Sequence, residues 1–75
     1  MTLDLLKIGE NARVVTIRCE GFLKTRLADL GLLPGTLITP LNTSPLGDPV
    51  AYSVRGSVVA IRREDAAQIE VAYAG

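Results

Sequence analysis

The spacing of apolar residues along the chain predicts short strands interrupted by one helix. Residues 12–19 alternate and are rich in β-branched side chains, which favours a strand. One face of this strand is expected to carry Arg13, Val15, Ile17 and Cys19. Leu23, Leu27 and Leu30 then recur at helical spacing, so residues 21–30 are expected to form an amphipathic helix.

Further short segments follow the helix, each bounded by turn residues. The expected elements are a strand over 36–42, hairpin strands over 50–54 and 57–62, a helical turn over 63–68 and a last strand marked by Ile69, Val71 and Tyr73. The opening segment, 3–9, is expected to lie across the barrel as a lid or turn. Five short strands in 75 residues indicate one domain over 1–75, mainly β with a short inserted helix, forming a small antiparallel barrel.

Pro40 lies inside the strand expected over 36–42. Proline has no N–H to donate to a neighbouring strand, so this strand is expected to lie at a sheet edge or to carry a bulge. An edge strand here would be able to pair with another copy of the chain. Weak self-association through that edge is therefore an open alternative.

Three glycines are expected to have structural roles in turns. Gly31 follows the last helical turn, where a left-handed residue ends a helix, and Leu32 supplies the hydrophobic contact that accompanies such an ending. Pro34-Gly35 suits the central pair of a type II turn, and Arg55-Gly56 suits a two-residue hairpin turn. The structural turn residues are therefore Gly31, Gly35 and Gly56.

The leucines around the helix end are expected to differ in burial. Leu30 and Leu32 are expected to be core contacts, whereas helix capping does not account for Leu33, which is expected to be partly exposed. The residues expected to form a partner-binding patch are Leu33, Pro34, Leu46, Arg26 and Arg55. An aliphatic patch edged by arginines suits a protein partner. Each arginine also has an ordinary alternative, as a solvated helix residue or as a hairpin tip.

The composition narrows the possible chemistry. Eight basic and eight acidic residues cancel and are dispersed, which argues against nucleic-acid binding. The chain has no histidine and one cysteine, Cys19, which is expected in the core, and Asp48 is expected to be a turn residue. We therefore expect no catalytic site, metal site or cofactor. The start of the chain is unlike a signal peptide, and prolines interrupt the uncharged stretch 30–47, so the cytosol is the expected location.

Two stretches carry a family resemblance that covers nearly the whole chain. RLADLGLLPG at 26–35, followed by SPLGDPVAYSVRGSVVAIRREDAAQIEV at 44–71, resembles the FeoA family, small cytosolic proteins of bacterial ferrous iron uptake. The resemblance implies an SH3-like barrel with a helix inserted after the first strand. It also implies an accessory role, in which the protein binds the cytosolic side of FeoB, a membrane permease with a GTP-binding domain.

Two other functions remain open from the sequence. Small barrels of this kind often bind nucleic acid, which salt-dependent binding would reveal. Similar SH3-like domains also form the C-terminal part of iron- and manganese-dependent transcription regulators, so direct metal sensing is the other alternative. Those regulators carry a winged helix and metal ligands upstream, for which this chain is expected to have no room.

Overall fold

The computed structural model describes residues 1–74, which fold around one antiparallel sheet. The elements are a 3-10 helix (Leu3–Leu5), β1 (Ala12–Ile17), α1 (Phe22–Asp29), β2 (Leu37–Thr43), β3 (Val50–Val54), β4 (Ser57–Ile61), α2 (Arg63–Ala66) and β5 (Ile69–Tyr73). The strand order is β4-β3-β2-β1-β5. The expected mainly β fold of five strands with a short inserted helix is confirmed. No helix in this part of the chain has the length and apolarity that crossing a membrane requires.

The core is mainly aliphatic, and Tyr52 is the largest of its fully buried side chains. Every strand contributes buried side chains, among them Val14, Ile38, Tyr52, Ile61 and Val71. The 3-10 helix places Leu3 in the same cluster, so the opening segment covers the sheet as expected. Cys19 is also buried there, as expected for a lone cysteine.

A bulge in β1 corrects the predicted faces of that strand. The pairing of β1 with β5 shifts register between Val14 and Thr16, so Val15 is an extra residue in the ladder. Ala12 and Val14 point into the core before the bulge, and Ile17 and Cys19 point inward after it. The prediction that Arg13 and Val15 share a face with Ile17 is therefore wrong, because a bulge reverses the alternation of side chains.

The position of β2 decides between the two alternatives for Pro40. This strand pairs with β1 on one side and with β3 on the other, so it is not an edge strand. The register of the β2–β3 pairing shifts between Pro40 and Asn42, which places a bulge at Leu41. The bulge alternative is confirmed and the edge alternative is wrong. The expected self-association through an edge strand bearing Pro40 is therefore wrong as well, because β2 is not an edge strand.

The two edge strands of the sheet differ in what covers them. At the outer side of β5, the Val71 N–H donates to the Met1 carbonyl at 2.7 Å, and Thr2 forms a bridge with Glu70. At the other edge, β4 pairs only with β3 among residues 1–74. The first residues of the chain thus cover one edge and leave the other open.

Candidate partner-binding surface

The end of α1 is fixed by a glycine and by the leucine that follows it. Gly31 has a φ of 96°, and its N–H donates to the Ala28 carbonyl at 2.9 Å. The Leu32 N–H donates to the Leu27 carbonyl at 3.0 Å, which completes a Schellman motif. Leu32 is fully buried, as expected. The chain therefore reverses direction immediately after the helix.

A tight turn then presents Leu33 at the surface. The Thr36 N–H donates to the Leu33 carbonyl at 3.0 Å, and Gly35, with a φ of 89°, occupies the third position that a type II turn requires. The Gly35 N–H donates to the Val14 carbonyl at 2.7 Å, which ties this turn to β1. Leu33 is 47% exposed, as expected for the leucine that helix capping does not account for. Its role in binding stays a prediction.

Leu30 does not follow the expectation that it packs in the core. Its side chain is 41% exposed. Leu30 is the C-cap of α1, and the reversal at Gly31 places Leu32 in the core position instead. The expectation for Leu30 is wrong because helical spacing shows which leucines share a face of the helix. It does not show that a residue after the helix, Leu32, fills the core position at its end.

Leu33 lines a small groove between α1 and β1, which we call the helix-end groove. The groove has a volume of about 120 Å³. Its lining residues are Thr16, Ile17, Lys24, Ala28, Leu32, Leu33 and Pro34. The lining is mainly apolar, with Lys24 as a cation on the helical wall. Such a groove is suited to an apolar side chain of a protein partner.

A second groove lies on the other side of α1, and we call it the helix–strand groove. It has a volume of about 350 Å³ and runs between α1 and the segment from β4 to α2. Its lining residues are Leu23, Arg26, Leu27, Leu30, Ala60, Ile61, Arg62 and Asp65. Arg26 is two positions from both Lys24 and Ala28, so it projects from a different side of the helix. The structure therefore does not bring Arg26 into the helix-end groove with Leu33.

Arg55 reaches the helix end from the β3–β4 hairpin. Its φ is 51° and that of Gly56 is 80°, the left-handed pair that a type I′ turn requires. The ideal β-carbon position on Gly31 lies 2.8 Å from the Cδ of Arg55. The stem of Arg55 thus packs over Gly31, close to the turn that begins at Leu33.

Leu46 lies at the opposite end of β2 from the Leu33 turn. Leu33 precedes the start of β2, and Leu46 follows its end, so a strand of about 20 Å separates the two loops. Leu46 is 96% exposed. The expectation that Leu46 flanks Leu33 is wrong, because β2 runs between the two loops and places them at opposite ends of the strand. The sequence alone did not show which loops lie at the same end of the sheet.

The loop that contains Leu46 is tied to α2 by contacts that the sequence did not predict. The Arg63 N–H, at the first residue of α2, donates to the Asp48 carboxylate at 2.9 Å. The Nε of Arg63 donates to the Gly47 carbonyl at 2.8 Å. Asp48 therefore caps the N-terminus of α2 from a loop that is distant in sequence. The Asp48-Pro49 pair indicated only a turn, and nothing in the sequence pointed to this capping role.

Few reactive groups come together in the described part of the chain. Within residues 1–74, no group of three histidine, cysteine, aspartate or glutamate side chains is placed to hold a metal ion. Burial raises the pKa of Tyr52 to about 12, an effect that Arg63 opposes and that Asp4 and Asp48 reinforce. The helix-end groove is mainly apolar with a lysine on its wall, whereas the helix–strand groove is lined by both apolar and charged residues.

The sequence profile of the FeoA domain family matches residues 1–73. The chain belongs to the FeoA domain family. This match confirms the resemblance carried by the helix-end and hairpin motifs.

Individual FeoA relatives support the assignment. The chain is 39% identical over 71 residues to an Fe(2+) transport protein A/Fe(2+) transporter FeoB fusion protein from Porphyromonas gingivalis, covering 95% of this chain and 8% of the fusion protein. The solution structure of FeoA from Chlorobium tepidum is 36% identical, with a TM-score of 0.94 over 100% of this chain and 71% of that chain. FeoA from Stenotrophomonas maltophilia, an SH3 domain protein complexed with zinc, is 25% identical, with a TM-score of 0.84 over 96% and 89% of the two chains. The SH3-like fold is thus shared with FeoA proteins.

Proposed function

We propose that this FeoA-family chain is an accessory protein of ferrous iron uptake that binds the cytosolic side of a FeoB-type permease. The observation that carries the proposal is the fusion of a similar sequence to FeoB in one polypeptide. A fusion holds two domains at a high effective concentration, which favours a weak contact between them. The FeoA protein from S. maltophilia, described as a candidate ferrous iron transport activating factor, supports the same role.

The contact surface that we propose is the helix-end groove together with the turn at Leu33 and Pro34. Leu33 is held outward by a hydrogen-bonded turn, so little conformational entropy is lost when a partner covers it. Lys24 on the groove wall and Arg55 at the helix end supply charge at the margin. An apolar centre with a charged margin is the usual arrangement of a protein interface.

In this proposal the chain acts by binding the permease, and the position of the permease determines where the chain lies in the cell. Attached to the permease, the protein would lie at the inner face of the membrane without inserting into it. The iron and the GTP would be handled by the permease, while the accessory protein acts on it through contact.

The proposal is tested by binding of the chain to the soluble GTP-binding domain of a FeoB-type permease. We expect Leu33→Glu to weaken this binding by about tenfold or more, because it places a charge in an apolar contact. Leu46→Glu is the matched control, since it makes the same change at an exposed leucine at the other end of β2. Circular dichroism melting should show that both variants fold like the wild type.

Each outcome has a separate meaning. If the wild-type chain does not bind the permease domain or the full permease, the proposed function is wrong. If the wild type binds and Leu33→Glu binds equally well, the function stands but the helix-end groove is not the contact surface.

A further inference from the structure

We infer that the open edge of β4 receives an extended, acidic segment of a protein partner as an added strand. The inference rests on the proposed role of the chain as a protein-binding accessory, and it names a second contact and the chemistry of what binds there. It is separate from the helix-end groove, because β4 lies on the other side of α1.

The first support is that β4 lacks the features that normally protect an edge strand. Residues Ser57–Ile61 include no charged residue and no proline, and their pairing with β3 runs through five residue pairs without a register shift. Val58 is 69% exposed on this strand. Natural edge strands are usually blocked by charges, prolines or bulges, because an open edge pairs readily with another chain. The other edge of the same sheet is covered by Met1 and Thr2.

The second support is the direction of the backbone groups of β4. The two-residue turn makes Val54 and Ser57 the first hydrogen-bonded pair of the hairpin, and such pairs alternate along an antiparallel ladder. Val58 and Ala60 are therefore at non-hydrogen-bonded positions towards β3. Their N–H and C=O groups point to the open edge, where a strand at a distance of roughly 4.8 Å would bond to them.

The third support is the helix–strand groove, which runs beside this edge. Leu30 on α1 lines it with a partly exposed side chain beside the buried Ile61 of β4, so an apolar side chain from an added strand would find a leucine there. The groove also gives a reason for the exposure of Leu30, which does not pack in the core. Backbone bonds would supply affinity, and the groove would select the inward side chains, as in other cases of strand addition.

Charge indicates the chemistry of the occupant. Arg26 and Arg62 stand on the two walls of the groove, with Asp65 as the acidic member of the lining. The contact of Arg62 with Glu64 is 4.0 Å long between exposed side chains, so Arg62 is available to a second carboxylate. An extended segment that alternates acidic and apolar residues therefore fits this edge.

A second copy of the chain fits the edge less well. Antiparallel pairing of two β4 strands that matches Val58 with Ala60 brings the Arg55 end of one copy towards the Arg63 end of the other, twice in the dimer. Like charges in opposing positions destabilise a strand pair. The charges on the edge thus favour an acidic partner over self-association.

The test uses the full chain and a synthetic heptapeptide of alternating glutamate and valine. We expect the peptide to shift the amide resonances of Val58 and Ala60 and to slow their hydrogen exchange. A peptide of alternating lysine and valine should bind about tenfold more weakly or worse. Binding that maps away from β4, equal binding of the lysine peptide, or no binding of the glutamate peptide would overturn the inference. Protection of β4 without peptide that grows with protein concentration would show a second copy instead.

Two changes test the backbone bonds themselves. Val58→Pro removes an outward N–H without removing a bond to β3, and we expect about tenfold weaker peptide binding. Val58→Thr is the control, because it keeps the N–H and the β-branched shape, and it should bind like the wild type. If Val58→Pro does not fold, N-methylation of the glutamate peptide tests the same bonds on the wild-type chain and should weaken binding similarly.

The permease binding assay separates this inference from the proposed function. Loss of permease binding in both Leu33→Glu and Val58→Pro supports both contacts. Loss in Leu33→Glu with full binding by Val58→Pro leaves the proposed function intact and overturns β4 as a permease contact.

Discussion

The stem of Arg55 lies directly over Gly31, so that a β-carbon built on Gly31 would come within 2.8 Å of the Arg55 Cδ. Val54 is also close, with its Cγ1 at 3.7 Å from the same position. This contact joins the β3–β4 hairpin to the end of α1 at a point where a β-carbon would require the Arg55 side chain to move. The glycine therefore serves both the helix ending and the packing of the hairpin.

We expect Gly31→Val to lower the free energy of unfolding by at least about 1 kcal/mol, because a β-branched residue is strained at a φ of 96°. Gly35→Val is the matched control, since Gly35 has a φ of 89° but no neighbouring atom within 4 Å of its β-carbon position. Urea unfolding of both variants measures the difference. Gly31→Val should lower the free energy of unfolding more than Gly35→Val does. A free energy of unfolding equal to that of the wild type in Gly31→Val would contradict the role of Gly31 in ending the helix.

The neighbouring leucines Leu32 and Leu33 should respond very differently to the same truncation. Leu32→Ala is expected to destabilise by about 2–5 kcal/mol because the side chain is fully buried. Leu33→Ala should change stability by less than about 1 kcal/mol because about half of that side chain is exposed. Thermal unfolding of the two variants measures this contrast, and equal costs would show that Leu33 belongs to the core.

Asp48 should stabilise the start of α2 through its bond to the Arg63 N–H. Removing the acceptor in Asp48→Ala is expected to lower the free energy of unfolding by about 1 kcal/mol, as for other helix caps. Asp48→Asn keeps an oxygen acceptor and should lose less. If chemical denaturation shows equal losses for the two variants, the charge or the turn matters more than this hydrogen bond.

Tyr52 should make the protein sensitive to alkaline pH. Its pKa rises from 10.0 to about 12 in the folded protein, so the folded state holds the phenolic proton more tightly than the unfolded state. The resulting stability is fully present below pH 10 and is lost as the pH rises towards 12, by at most roughly 3 kcal/mol. Tyr52→Phe removes this group, so its stability should fall less steeply over the same range in urea unfolding. Parallel curves for wild type and variant would contradict the prediction.

The features that the sequence predicted well are those set within a few residues. The ending of α1 depends on Gly31 and Leu32, which bond back to Ala28 and Leu27 in the last helical turn. The hairpin turn at Arg55-Gly56 is equally local. In such cases the residue types alone restrict the backbone enough to fix the conformation.

The features that the sequence missed depend on neighbours distant in the chain. The bulge at Val15 is set by the register with β5, and Pro40 alone did not distinguish a bulge from an edge. The separation of Leu46 from Leu33 follows from the course of β2, and the capping by Asp48 follows from the position of α2. Two of the five residues of the expected patch, Arg26 and Leu46, therefore lie elsewhere, while the exposure of Leu33 itself was predicted.

The shallow attachment of α1 has a consequence for motion. Of its eight residues, only Leu27 is buried, although Leu32 anchors the chain just beyond the helix. Segments with few buried side chains open at a lower free energy than the sheet around them, so the amides of α1 should exchange with solvent faster than those of β3. Both grooves use this helix as a wall. A partner bound in one groove would restrain α1 and so change the width of the other groove. We therefore expect binding at the two surfaces to be coupled through this helix.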